Sequence, residues 1–344
     1  MSLIKTTVPQ TTVDSLDLAD KFWNKLKNDL SGFTDLGNQT INIKHNSGTS
    51  SSATFQALKF PNFNFSLIRM VNSSNYPIYA TFWISGKTGS NNFLDFIDHT
   101  TTPPSNLNGL NINGFTLKIP NAKGLGWSGY DFLYRDYYLY YLQDSNSLVN
   151  AYILIDPHST TLSGNIYPYD YWTLFNSQGF RSMIILLWKP SSNSSIEYCL
   201  CLNDGATNFV FPRYFFYSFL LVKRDNSTSP PTINYYFNYD RLNTSIVQNS
   251  NYLNTYIKYG VLFGNSVSGS VVNLVVSNLK VFIPEENPNI IDLPTPPLFL
   301  YTLSYDEISN GLNVSIPNLG NYDFWKIRWG TYHKGHIYLG LKTI

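Results

Sequence analysis

The chain has 344 residues, 43% hydrophobic and 16% aromatic, but only 13% charged, about half the ~25% usual in soluble domains. Its 23 basic and 22 acidic residues leave a net charge of +1 with no Lys/Arg cluster, which argues against a phosphate-neutralising stripe and so against nucleic-acid binding. No run of about 18 apolar residues occurs, so no membrane span is predicted.

Residues 1–13, rich in Thr, read as an extended arm; Met1-Ser2-Leu3-Ile4-Lys5 lacks the apolar core of a signal peptide. Residues 14–31 predict the one amphipathic helix. Asp14 can cap it, Asp17 and Asp20 suit its positive end, Leu16, Ala19, Phe22, Trp23, Leu26 and Leu30 form its apolar stripe, and Gly32 stops it. That stripe fits either a plug for one end of a sandwich or a docking face for a neighbouring subunit.

From residue 32 to 284 the pattern is strands and turns. Ile78, Ala80, Phe82 and Ile84 alternate with polar neighbours, as do Phe115, Leu117 and Ile119, and Ile233, Tyr235, Phe237 and Tyr239. Unbroken apolar runs at 151–155, 183–188 and 215–222 predict central strands buried on both faces. Within 271–283 the apolar parity switches at Ser277-Asn278, which predicts a bulge there. Asn108-Gly109, Asn113-Gly114 and Asp204-Gly205 mark turns. A Pro-rich linker is expected over 285–297, followed by a β extension over 298–344 that packs on the body or on a neighbour. The expected fold is all-β: an antiparallel β-sandwich or jelly roll, one large or two stacked with a split near residue 150, carrying one N-terminal helix and a short C-terminal β extension.

Few groups combine into a recognisable chemistry. Cys199 and Cys201 lie two apart on one strand face, opposite Ile196, Tyr198, Leu200 and Leu202, which is poor geometry for a mutual disulfide and leaves no metal partners nearby. Asp95 with Asp98, and Asp131 with Asp136, have the makings of glycosidase pairs but read as turn and edge carboxylates. Asp156-Pro157-His158-Ser159 and His333/His336 are sequence neighbours only. No catalytic residue, cofactor or metal site is assigned. Asn-x-Ser/Thr sequons occur at seven positions; Asn193, Asn226 and Asn243, in turns, are the glycosylation candidates. Tyrosines crowd 130–141 and 167–172. Tyr137, Tyr140, Tyr169 and Trp172 are the binding candidates, because these side chains combine a large rigid face with a polar tip.

The strand series Phe219–Asp225, Ile233–Asp240, Tyr259–Gly264 and Val276–Phe282 resembles the C-terminal half of concanavalin-like (laminin-G-like) lectin sandwiches. That resemblance implies a sandwich and a glycan-binding module. The Glu-x-Asp-x-x-Glu strand of the family's hydrolase branch is missing from the sequence, so hydrolase activity is not implied. The Asn/Tyr/Ser-rich, Lys-poor makeup with an N-terminal arm is similar to coat and surface proteins of archaeal viruses from hot springs, which implies a virion or other extracellular surface. The expected function is a non-enzymatic structural protein, a capsid or appendage component binding copies of itself or other surface proteins. A lectin-like protein binding host glycans is the alternative, and a glycoside hydrolase ranks third.

Overall fold

Because Asn, Ser and Thr compete with helical hydrogen bonds while Tyr, Phe, Ile and Val suit a pleated surface, the chain builds sheets almost throughout. The computed structural model describes residues 1–9, 15–44, 50–72, 79–88, 117–120, 137–155, 182–204, 218–237, 260–269, 274–283, 286, 290–294, 297–304, 309, 311–328 and 336–344. In chain order these give β1 (Ile4–Val8), α1 (Ser15–Asn24), β2 (Thr34–Lys44), β3 (Ser50–Lys59), β4 (Ser66–Asn72), β5 (Tyr79–Ser85), β6 (Leu117–Pro120), β7 (Tyr137–Gln143), β8 (Val149–Ile155) and β9 (Ser182–Trp188). They continue with β10 (Ile196–Asp204), β11 (Ser218–Asp225), β12 (Thr232–Phe237), β13 (Gly260–Gly269), β14 (Leu274–Phe282), β15 (Ile290–Asp292), β16 (Phe299–Ser304), β17 (Leu312–Ile316), β18 (Gly320–Arg328) and β19 (His336–Lys342).

Among the described residues all pairings are antiparallel and fall into three sheets. A seven-stranded sheet in the order β1-β7-β8-β9-β10-β11-β12 lies in the middle. Two of its apolar runs behave as the sequence predicts: every residue of β8 is buried, and so is every residue from Met183 to Trp188. One face, with Tyr152, Leu154, Ile185 and Leu187, packs against Phe22, Trp23 and Leu26 of the helical segment and against Phe60, Phe65 and Ile84 of the sheet β2-β3-β4-β5-β6. The other face, with Ile153, Ile184, Leu186 and Leu200, packs against Val281, Phe299, Leu339 and Leu341 of the sheet β13-β14-β16-β19-β18-β17, with β15 alongside β14. The result is a sandwich of three stacked sheets. A third cluster, Leu300, Tyr322, Phe324 and Tyr338 with Val314 and Ile316, lies on the far side of that last sheet.

The organisation departs from expectation at both ends. The stretch read as an arm contains β1, which pairs residue for residue with β7 from Ile4↔Tyr141 to Val8↔Tyr137 and buries Leu3 and Val8. Its β-branched threonines suit an edge strand as well as they suit an extended arm. The Pro-rich linker is interrupted by β15, because Ile290 and Ile291 sit between prolines that flank the strand and do not break its ladder on β14. The extension over 298–344 is four strands of one sheet, sharing the central sheet's core through Leu298, Phe299, Leu339 and Leu341. Residue 150 falls inside β8, paired on both sides, so no division lies there.

Two smaller differences are local. The helix expected over 14–31 is α-helical only to Asn24; a π-turn over Lys25–Asp29 follows and closes with Leu30 N–H on Lys25 O, two residues before Gly32. A bulge is present, but the extra residue lies on the partner strand rather than at Ser277-Asn278: the register jumps between Phe263 and Ser266 of β13.

Candidate functional site: an aromatic cage beneath the first strand

Tyr137 and Tyr140 are not an exposed surface. Tyr137 is 6% exposed and packs toward the helix, and Tyr140 is fully buried on the opposite face. The reason is β1: by covering the edge of β7 it leaves both faces of that strand under other layers. Tyr169 and Trp172 lie outside the described residues, as do Tyr130 and Tyr134 of the first tyrosine cluster.

Around Tyr140 the central and C-terminal sheets build a site that no sequence neighbourhood displays. The Tyr140 hydroxyl donates to Asp323 Oδ2 at 2.7 Å and accepts from Trp325 Nε1 at 3.0 Å. Asn313 Nδ2 donates to Asp323 Oδ1 at 2.8 Å, and Lys5 Nζ reaches Asp323 Oδ2 at 3.2 Å. The Lys5 ammonium also stands 4.9, 5.5 and 5.3 Å from the ring centroids of Tyr138, Tyr140 and Trp325. Tyr138 and Trp325 are tilted at 32° with centroids 5.2 Å apart. Burial, then the bond to Asp323, pushes the Tyr140 phenol above its ordinary range, so it remains a donor. Three ring faces and a carboxylate around one ammonium make a cation-recognition cage, in which each ring contact is worth ~0.5–2 kcal/mol. Its occupant is the chain's own Lys5, whose side chain is 38% exposed.

Other buried charges are matched by neighbouring hydrogen-bond partners. Glu197 accepts from Asn64 N–H at 2.9 Å, from Asn64 Nδ2 at 3.2 Å and from Lys189 at 3.2 Å. Arg69 donates to Asp20 at 2.5 Å and to Gln56 at 2.9 Å, over the ring of Trp23. Glu286 accepts from Lys223 at 2.5 Å and from the Tyr236 hydroxyl. Glu197 shares the face of Cys199, whereas Glu286 pairs with Lys223 on the face of Leu221, so the central sheet separates these two carboxylates. The pairs Asp95/Asp98 and Asp131/Asp136, and Asp156 with His158, lie outside the described residues, as does His333. Among the described residues no three His, Cys, Asp or Glu side chains are placed to hold a metal ion, and no helix is long and apolar enough to cross a membrane.

Cys199 and Cys201 face the core that includes Leu187, fully buried and without a disulfide, their sulfurs in a weak hydrogen bond at 3.9 Å. Burial, then the contact with Cys199, pushes the Cys201 thiol up, away from the reactive thiolate. Neither thiol is therefore expected to react with a colorimetric thiol reagent in the folded protein, and both should titrate in denaturant; fast reaction of either in the native state would contradict this burial.

The sequons separate by hydrogen bonding. Asn193 is exposed in the turn between β9 and β10. Asn226 donates Nδ2 to Ser195 O at 3.1 Å and accepts from Arg224 Nε at 2.7 Å, so the nitrogen that would carry a glycan is already engaged with the backbone. The amides of Asn64 and Asn313 are committed to Glu197 and Asp323, and Asn243 lies outside the described residues.

The register of the central sheet also sorts its connections. Short turns join β7 to β8, β9 to β10 and β11 to β12 at one end. At the other end lie the strand termini Tyr137, Ile155, Ser182, Asp204, Ser218 and Phe237, where segments 121–136, 156–181, 205–217 and 238–259 join the sheet. Those segments are rich in aromatics: six of the 13 residues in 205–217 are Phe or Tyr, and 156–181 carries Tyr169 and Trp172. Comparison with known proteins returns no relative: no protein-family model, no curated protein and no solved structure matches the chain.

Proposed function

We propose that the chain is a non-enzymatic structural component of an exterior assembly, such as a capsid or appendage, and that it meets its neighbours through the aromatic end of the central sheet. The observation carrying this reading is the collection of every long connection of that sheet at one end, with aromatics concentrated in the segments that join it there. Tyr and Trp give large, rigid contact area at low entropic cost, the composition of interface cores. The low charge of the chain removes the like-charge repulsion that keeps monomers apart. Contacts assigned to a tail on sequence grounds move to this end, since that segment supplies four strands of the fold itself.

A lectin-like reading draws on the same end, because the faces of Tyr and Trp also stack on sugars. One experiment separates the two. The variant Tyr169→Ala/Trp172→Ala is compared with the unchanged chain by light scattering and on a glycan array, with circular dichroism checking the fold. The assembly reading expects loss of oligomers with an unchanged spectrum. Intact oligomers with lost glycan binding favour the lectin, and a variant unchanged in both would sink each reading for this cluster.

A further inference from the structure

We infer that β1 is an exchangeable clasp: the strand Ile4–Val8 of one copy fits the β7 edge and the aromatic cage of a second copy. This deepens the assembly reading and rests on it. Among the described residues, and apart from its packing beside α1, the pairing and cage contacts of β1 are to residues far along the chain. They are the five register pairs with β7, the bond from Leu3 N–H to Lys342 O at 2.8 Å, and Lys5 in the cage with Asp323. A second copy offers the same contacts with the same geometry, so exchange sacrifices none of them; only the connection and the protein concentration decide between the closed and the exchanged form.

The connection that decides is Pro9-Gln10-Thr11-Thr12-Val13-Asp14. Pro9 biases Val8 to extended backbone, and Thr11, Thr12 and Val13 are β-branched, so its sequence encodes extension and carries no tight-turn signal. The vacated edge in turn demands an occupant. Without β1, β7 presents unpaired backbone groups, and Asp323, whose side chain is only 9% exposed, loses its ammonium. The occupant must set a cation between two buried apolar residues, in the spacing Leu3, Lys5, Val8. The sequence known to meet that specification is this chain's own first strand.

The test uses two full-length variants, Ile4→Cys and Tyr141→Cys, at positions that face each other in register. Ile4 is 48% exposed and lies outside the cage, and the native cysteines are fully buried. The variants are mixed at high concentration, oxidised mildly and run without reductant, while light scattering follows assembly of the unchanged chain. Exchange predicts a disulfide-linked dimer that joins peptides from the two variants, in a yield that falls when the mixture is diluted before oxidation. If no linked dimer forms, exchange is overturned; should the unchanged chain still assemble, the assembly reading survives it. A linked dimer from a chain that builds nothing larger upholds exchange and overturns the wider assembly. Val8→Cys with Tyr137→Cys, the pair at the other end of the strand and outside the cage, repeats the test should Tyr141→Cys fold poorly.

Discussion

Asp323→Ala is expected to lower the unfolding free energy by about 3 kcal/mol, read from the shift of a urea midpoint. The carboxylate accepts from Tyr140, Lys5 and Asn313. Removing one partner of a buried ion pair costs ~3–5 kcal/mol, and each buried donor left unmatched adds ~1–3 kcal/mol. Here Lys5 can turn to water, since its side chain is 38% exposed, which holds the total near the lower figure. Tyr140 is fully buried and has no such escape. Asp323→Asn should cost less, because an amide oxygen still accepts from Tyr140, and Lys5→Met should cost only about 1 kcal/mol. A double-mutant cycle of Asp323→Ala with Tyr140→Phe should show coupling above ~0.5 kcal/mol. Additive effects would mean that the two side chains do not share the bond described.

Gly340→Val should be comparably damaging, at about 3 kcal/mol. Gly340 pairs with Phe324 across β18 and β19, and a Cβ there would lie 2.9 Å from Phe324 Cε1 and 3.0 Å from its Cζ. The missing side chain makes a floor on which the ring lies flat, offsetting the usual weakness of glycine in a strand. Phe324 is fully buried in the far-side cluster, so the ring cannot swing into solvent. Gly340→Val combined with Phe324→Leu should recover part of the loss. If the double variant is no better than Gly340→Val alone, the clash with the ring is not the cause.

What was legible in the sequence was whatever burial imprints on one strand at a time. The runs at 151–155 and 183–188 announce a strand covered on both faces, and they lie in the central sheet. The parity switch at 277–278 announces a bulge, but the strand carrying the extra residue is set by the partner, β13. Pairing between distant segments leaves no such imprint. Val8 meets Tyr137, and Phe299 meets Leu341 through β19, with nothing in either segment to name the other. Tyr140 was misplaced for the same reason. A phenol reads as a surface group until its acceptor is known, and that acceptor is Asp323, 183 residues away. The cage was therefore invisible, since its rings come from two strands of different sheets and its cation from a third.

The position of β19 bears on how the chain is made. This strand lies between β16 and β18, which are not paired with each other, yet residues 336–342 are synthesised after both. Until they leave the ribosome, the C-terminal sheet is in two pieces, and Ile153, Leu186 and Leu200 on the second face of the central sheet lack the cover of Leu339 and Leu341. A nascent chain in that condition offers apolar surface and open strand edges together, the combination that aggregates. Closure of this face is thus a late event, and stalled or prematurely terminated chains are the ones that need a chaperone's hold.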